Sequence, residues 1–301
     1  MFSYRHGFHA GNHADVLKHL VLVATLRHLL LKEGPILCVD THAGAGLYRL
    51  DSEETAVSGE AADGIMPLWQ ARNPAAQPPA CEALKDYLDV ISAFNSGERL
   101  RVYPGSPLIL HHLMRPGHDR LRLFELHPSD SRALAGHVDQ LRAGRGVAMA
   151  RQDGFEGLKA LLPPPPSGSG SRRALVLMDP SYEIKSDYAR VQTSVQDAVK
   201  RFPTGVYLVW YPVIPRAEAH DLPRRLKHIA QQARRPWLHA VLGIGQPSTP
   251  TRPAGRPGLL TSGLFVINPP HTLAPSVRAA LEQVLPLIGR GRGQRAVVET
   301  G

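Results

Sequence analysis

The segment Asp179-Pro180-Ser181-Tyr182 sets a carboxylate, a stiffened backbone carbonyl and an aromatic ring side by side. The first two accept hydrogen bonds, and the ring offers a flat apolar face. Together they suit a flat heterocycle that carries an exocyclic amine. Asp-Pro is also an ordinary turn, so the segment needs its context. The apolar run Ala174-Leu175-Val176-Leu177-Met178 precedes it and reads as a buried strand. Asp179 therefore stands where a strand ends, and open α/β sheets bind ligands outside the carboxyl ends of their strands.

A second strand, Pro35 to Asp40, runs into Thr41-His42-Ala43-Gly44-Ala45-Gly46. Gly44 and Gly46 permit positive φ and a close approach of backbone to ligand, although a tight turn alone has the same pattern. No third glycine follows three residues after Gly46, which counts against a nicotinamide or flavin enzyme. The later Asp-Pro-x-Tyr resembles the Asp-Pro-Pro-Tyr motif of S-adenosylmethionine-dependent enzymes that methylate adenine N6. Two further acids end strands. Glu125, in Leu123-Phe124-Glu125-Leu126-His127, is placed to bind a ribose, and Asp153 to accept from an adenine amine. Each is equally readable as a helix cap or surface charge, and Asp153-Gly154 as a turn.

The elements that must carry these residues alternate along the chain. A helix capped by Asn12 is expected to run to about Lys32 and to stop at Gly34-Pro35. Residues 51–103 change character, acidic first and then rich in Pro and Ala, with one helix expected from Cys81 to Phe94. They read as an inserted helical subdomain, and they explain why Glu125 lies so far beyond the glycine turn. Strands near residues 121–126, 147–151, 174–178, 205–211, 238–243 and 262–267 alternate with helices up to Ile288. This pattern implies an α/β, Rossmann-like, mostly parallel sheet covered on both faces. Residues 289–301, opening with Gly289-Arg290-Gly291-Arg292, are expected to be a flexible basic tail.

The chain has 301 residues and a formal net charge of +9, with Arg far outnumbering Lys. Arg presents a planar fork of donors that matches phosphate and stacks on bases, so a nucleic-acid partner is expected. The two cysteines form no Cys-x-x-Cys pair, as in a reducing compartment. The first thirteen residues are too polar for a signal peptide, and Lys18, His19, Arg27 and His28 interrupt the apolar stretch from Val16 to Leu31. A cytoplasmic location without membrane contact follows as the expectation.

The first residues, Tyr4-Arg5-His6-Gly7-Phe8-His9-Ala10-Gly11-Asn12-His13, form a basic, aromatic arm. Its histidines lack the acidic or thiolate partners of a tetrahedral site, so an RNA contact is expected there rather than a metal. With the arm, Asp40-Thr41-His42-Ala43-Gly44-Ala45-Gly46, Tyr103-Pro104-Gly105-Ser106-Pro107, Glu125-Leu126-His127-Pro128 and Asp179-Pro180-Ser181-Tyr182-Glu183 on the page, nearly the whole chain resembles the ribosomal RNA large subunit methyltransferase J family.

That resemblance implies a class I methyltransferase sheet spanning residues 1–50 and 104–288, the 51–103 insertion and no metal. It implies methyl transfer from S-adenosylmethionine to N6 of one adenine in 23S rRNA, at position 2030, within ribosomal RNA processing. By motif it assigns cofactor contacts to His19, His42, Ser106, Glu125, Asp153 and Gly154, beside the glycines Gly44 and Gly46. Asp179 becomes the catalytic residue next to the methyl group. Tyr4 becomes a contact to the RNA substrate. Lys18 is expected to help bind RNA, and the transfer chemistry makes the Pro180 carbonyl an acceptor for the adenine amine and Tyr182 a ring stacked on the extruded base. The substrate is expected to be naked or early precursor RNA and the enzyme a monomer. Ser181 departs from the familiar motif, but it leaves both acceptors, the Asp179 side chain and the Pro180 carbonyl, in place. An N6-adenine DNA methyltransferase and a non-catalytic RNA-binding protein on the same scaffold are the alternatives.

Overall fold

The computed structural model describes residues 9–51, 59–72, 79–168, 170–246 and 258–301. Its first helix, α1 (His13–Leu30), begins where the Asn12 side chain accepts the amides of Ala14 and Asp15. It is buried on nearly all sides, because it lies between the sheet and an outer layer of helices. The sheet comprises β1 (Leu37–Asp40), β4 (Arg120–Phe124), β5 (Val147–Ala150), β6 (Ala174–Met178), β7 (Val206–Pro212), β8 (Trp237–Gly243), β9 (Thr261–Ile267) and β10 (Arg295–Thr300), in the order β10-β8-β9-β7-β6-β1-β4-β5. β5, β4, β1, β6 and β7 pair in parallel. β9 runs against both β7 and β8, and β10 against β8. The mostly parallel α/β sheet expected from the sequence is therefore present, with a mixed edge.

Helices cover both faces. α4 (Ser106–Leu113), α5 (Pro128–Gln140) and α9 (Leu273–Ile288) share one apolar core with α1. α6 (Gly154–Leu161), α7 (Ser186–Arg201) and α8 (Ala217–Gln232) pack a second core on the opposite face around Val191, Val195, Leu222 and Leu226. β1 lies between β4 and β6: the chain runs from β1 to β4 and β5 on one side, then crosses back to β6 on the other. The crevice at such a switch point opens at the carboxyl ends of the strands.

The insertion leaves and returns through a two-stranded ribbon, β2 (Leu47–Arg49) against β3 (Val102–Pro104). Its described part holds a 3-10 turn (Glu60–Asp63), α2 (Ile65–Ala71) and α3 (Glu82–Ala93). Ile65, Leu68, Trp69 and Tyr87 join the same core as α1 and α9, so these helices do not build a core of their own.

The expected flexible tail needs correction. Residues 295–300 form the edge strand β10, with Ala296 and Val298 turned onto the core and the Gly301 backbone bonded to Trp237. Arg290 pairs with Asp63 of the insertion. The Gly-Arg repeat masks a period-two strand that becomes stable only once β8 supplies its partner edge.

Candidate active site

A cavity of about 380 Å³ opens at the carboxyl ends of β1, β4, β5 and β6. It falls in the size range of ordinary small-molecule sites. His19, His42, Gly44, Ser106, Glu125, Asp153, Gly154, Asp179, Pro180 and Lys18 all line it. These residues span most of the chain, and the sheet brings them together: all but Lys18 and His19, which α1 carries, follow a strand or start a helix at the same edge.

At one end lies Glu125. Its Oε2 accepts the Gly44 amide at 2.8 Å and its Oε1 accepts the His127 amide at 2.7 Å. Burial nevertheless lifts its pKa, the two amides pulling the other way. A carboxylate has about four lone-pair positions, so acceptance from hydroxyls remains open to it. Asp153 caps α6 through Oδ1, which accepts the amides of Phe155 and Glu156 at 3.0 and 3.3 Å, while Oδ2 meets Arg190. Burial opposes its ionisation, but the Arg190 hydrogen bond and charge prevail and hold its pKa below the usual value. Beside it, burial pushes the His42 imidazole down to about 4, so the ring is neutral at neutral pH, edge-on to Phe155. A Cβ on Gly154 would come within 1.9 Å of the Thr41 carbonyl oxygen, which is why this wall needs glycine.

The other end holds the catalytic candidate. Lys18 is buried and paired with Asp15, at 2.9 Å, and with Asp179. Burial opposes its charge, yet the two carboxylates outweigh burial and its pKa rises. Ser106 donates its hydroxyl to Asp40 Oδ2 at 2.6 Å, and Asp40, fully buried, has its pKa lifted by burial to about 6. Asp179 and Lys18 also line a second cavity of about 210 Å³, together with Trp210, Pro212, Ile214 and His9. Asp179, with Lys18 and Ser181, thus forms the wall common to two chambers.

Three assignments change. Gly46 does not line the cavity; its φ of 87° and its carbonyl, which accepts the Gly105 amide at 2.8 Å, make it a support for the turn. Lys18, expected as a contact to the RNA substrate, is buried, and its ammonium is paired with Asp15 and Asp179. Tyr182 reaches the second chamber, but its ring is only 2% exposed, packs on Tyr188 and donates its hydroxyl to the Trp210 carbonyl at 2.7 Å. It is a wall rather than an open stacking face. Tyr4 lies outside the described residues.

Residues 33–299 match the family model described as ribosomal RNA large subunit methyltransferase D, RlmJ. The chain belongs to this family. It is 41% identical to the ribosomal RNA large subunit methyltransferase J of Escherichia coli K12, over 93% of this chain and 92% of that protein. The Haemophilus influenzae protein of the same name is 40% identical over 99% and 98%. The crystal structure of LPL1258 from Legionella pneumophila superposes with a TM-score of 0.80 at 32% identity, covering 97% of this chain and 98% of that one.

As a member of this family the chain is a methyltransferase that uses S-adenosylmethionine. The cavity fits that group in charge as well as size. Asp40, Glu125, Asp130, Asp153, Asp179 and Asp187 surround or line it and suit a cationic sulfonium ligand. Sequence reasoning missed Asp15, Arg190 and Trp210. Asp15 reads as a helix-start charge, Arg190 as a surface residue of α7 and Trp210 as a strand residue; none carries a local signal of its role.

Proposed function

We propose that this enzyme methylates N6 of a single adenine in 23S rRNA, adenine 2030 by family resemblance. The observation that carries the reading is the pair of chambers sharing Asp179. The larger chamber takes the cofactor and the smaller one the extruded base, with Trp210, Pro212 and Ile214 as its apolar walls. S-adenosylmethionine supplies an electrophilic methyl group on a positively charged sulfur.

This chain's residues supply position and electrostatics. Adenine N6 is a poor nucleophile, because its lone pair is delocalised into the ring. Asp179 and the Pro180 carbonyl accept its two N–H bonds, draw the nitrogen toward tetrahedral geometry and aim the lone pair. Lys18, from α1, holds the Asp179 carboxylate in register for this. The gain comes from orientation and a fixed polar frame. After transfer the nitrogen carries positive charge and sheds a proton readily, so a hydrogen-bond acceptor suffices. His42, Ser106, Glu125, Asp153 and Gly154 hold the cofactor, and Tyr4 contacts the RNA substrate.

The test is transfer of labelled methyl to protein-free 23S rRNA lacking the modification, with an immature ribosomal particle and duplex DNA in parallel. N6-methyladenosine at one site of the free RNA is the expected result. Transfer to DNA alone would overturn the reading.

A further inference from the structure

His19 lines the cofactor cavity with a ring only 1% exposed. Its Nδ1 lies 2.7 Å from the Tyr103 hydroxyl, and that hydroxyl lies 3.0 Å from the hydroxyl of Tyr87. The rings of His19 and Tyr103 stack at 5.5 Å with planes 30° apart. Both tyrosines are fully buried. Tyr103 sits in β3, the ribbon at the neck of the insertion, and Tyr87 in α3 within it. A hydrogen-bonded chain therefore runs from the insertion to the cofactor cavity.

The chain has a direction. Burial pushes both phenols well above their ordinary pKa, so each keeps its proton. Among the described residues, the Tyr87 hydroxyl meets no hydrogen-bond partner other than Tyr103. If Tyr103 donated to Tyr87, the Tyr87 proton would be stranded in the core, a penalty of about 1–3 kcal/mol. Tyr87 donating to Tyr103 leaves the Tyr103 proton for His19 Nδ1, and both phenol protons are then served. A ring whose Nδ1 accepts carries its proton on Nε2, on the opposite edge.

We infer that Tyr87 and Tyr103 are positioning residues that lock His19 as the Nε2–H tautomer, making it a donor to the carboxylate of the cofactor's methionine portion. This rests on the cofactor-cavity reading above. The carboxylate needs such a donor, because, among the described residues, six carboxylates line the cavity and its two cations, Lys18 and Arg190, are already paired with carboxylates. The insertion would thus tune cofactor binding from outside the cavity.

The experiment uses the full-length protein with 15N-labelled histidine, His19 being assigned by His19→Gln. Two-bond proton–nitrogen correlation spectra report the tautomer directly. Wild type should show an unprotonated Nδ1 and a protonated Nε2, and Tyr103→Phe a mixture or reversal. Calorimetry then compares S-adenosylhomocysteine with 5′-methylthioadenosine, which lacks the amino-acid carboxylate. Tyr103→Phe should weaken the first about tenfold and the second less than about twofold, with Tyr87→Phe intermediate. A protonated Nδ1 in wild type would overturn the relay, as would equal weakening of both ligands. S-adenosylhomocysteine that binds without moving the His19 signals would instead overturn the cavity assignment, whatever the tautomer.

Discussion

Asp153 and Asp179 both follow strands of one sheet, both meet a cation from a helix and both line one cavity, yet they are held in different ways. Asp153 is tied to its own backbone: one oxygen caps α6 and the other takes Arg190. After Asp179 the chain does not enter a helix at once; α7 begins only at Ser186. Asp179 is oriented instead by Lys18, which arrives from the first helix and is itself anchored by Asp15. The cap makes Asp153 a fixed part of the wall. The buried lysine gives Asp179 a set direction at the boundary of two chambers, as the proposed role between cofactor and base requires.

Substituting both positions sharpens this contrast. Asp179→Asn keeps the shape and should lower methyl transfer about a thousandfold, the scale seen when one preorganised polar contact to a transition state is lost. Asp153→Asn in the same assay should act mainly on cofactor affinity. Equal losses in turnover would erase the distinction. Thermal melts of both variants establish that folding is retained.

Asp40 tests the acid cluster on the Asp179 side. Burial holds its pKa at about 6, above the 3.8 of an ordinary Asp. The folded protein keeps this proton to a higher pH than the unfolded chain does. Asp40 therefore supports folding below about pH 4, and that support is lost as pH rises through 6. The change amounts to about 2–3 kcal/mol. Urea midpoints at pH 4, 5 and 7 should show this slope in wild type and a flatter one in Asp40→Asn. Parallel curves for the two proteins would remove Asp40 from the account.

The smallest effect is expected at Arg190, whose side chain is partly exposed. Arg190→Ala should weaken cofactor binding about three- to tenfold and leave the maximal rate nearly unchanged. A large fall in rate with unaltered affinity would place Arg190 in the chemistry and not at the Asp153 wall.

Much of the fold is legible because its signals are local. The run 174–178 is the strand β6 residue for residue, and Asn12 caps α1 as its side chain allows. α4 was less legible: it is a short, apolar helix that follows a Pro-Gly turn and carries no clear period. The β2–β3 ribbon escaped for a different reason, since its two short strands are separated by the whole insertion.

By itself the sequence determined which chemistry was available: acids at strand ends, glycines at turns and the Asp-Pro-Ser-Tyr segment, all set by neighbours a few residues away. Only the tertiary structure decided which of them work together. Lys18 and Asp179 are 161 positions apart, His19 and Tyr103 are 84 apart, and Arg190 and Asp153 are 37 apart. Such pairs leave no periodic or local trace, because each partner meets the rules of its own helix or strand equally well without the other. Their energy comes from burial and directed hydrogen bonds, and those exist only once the sheet has brought the distant segments to one edge.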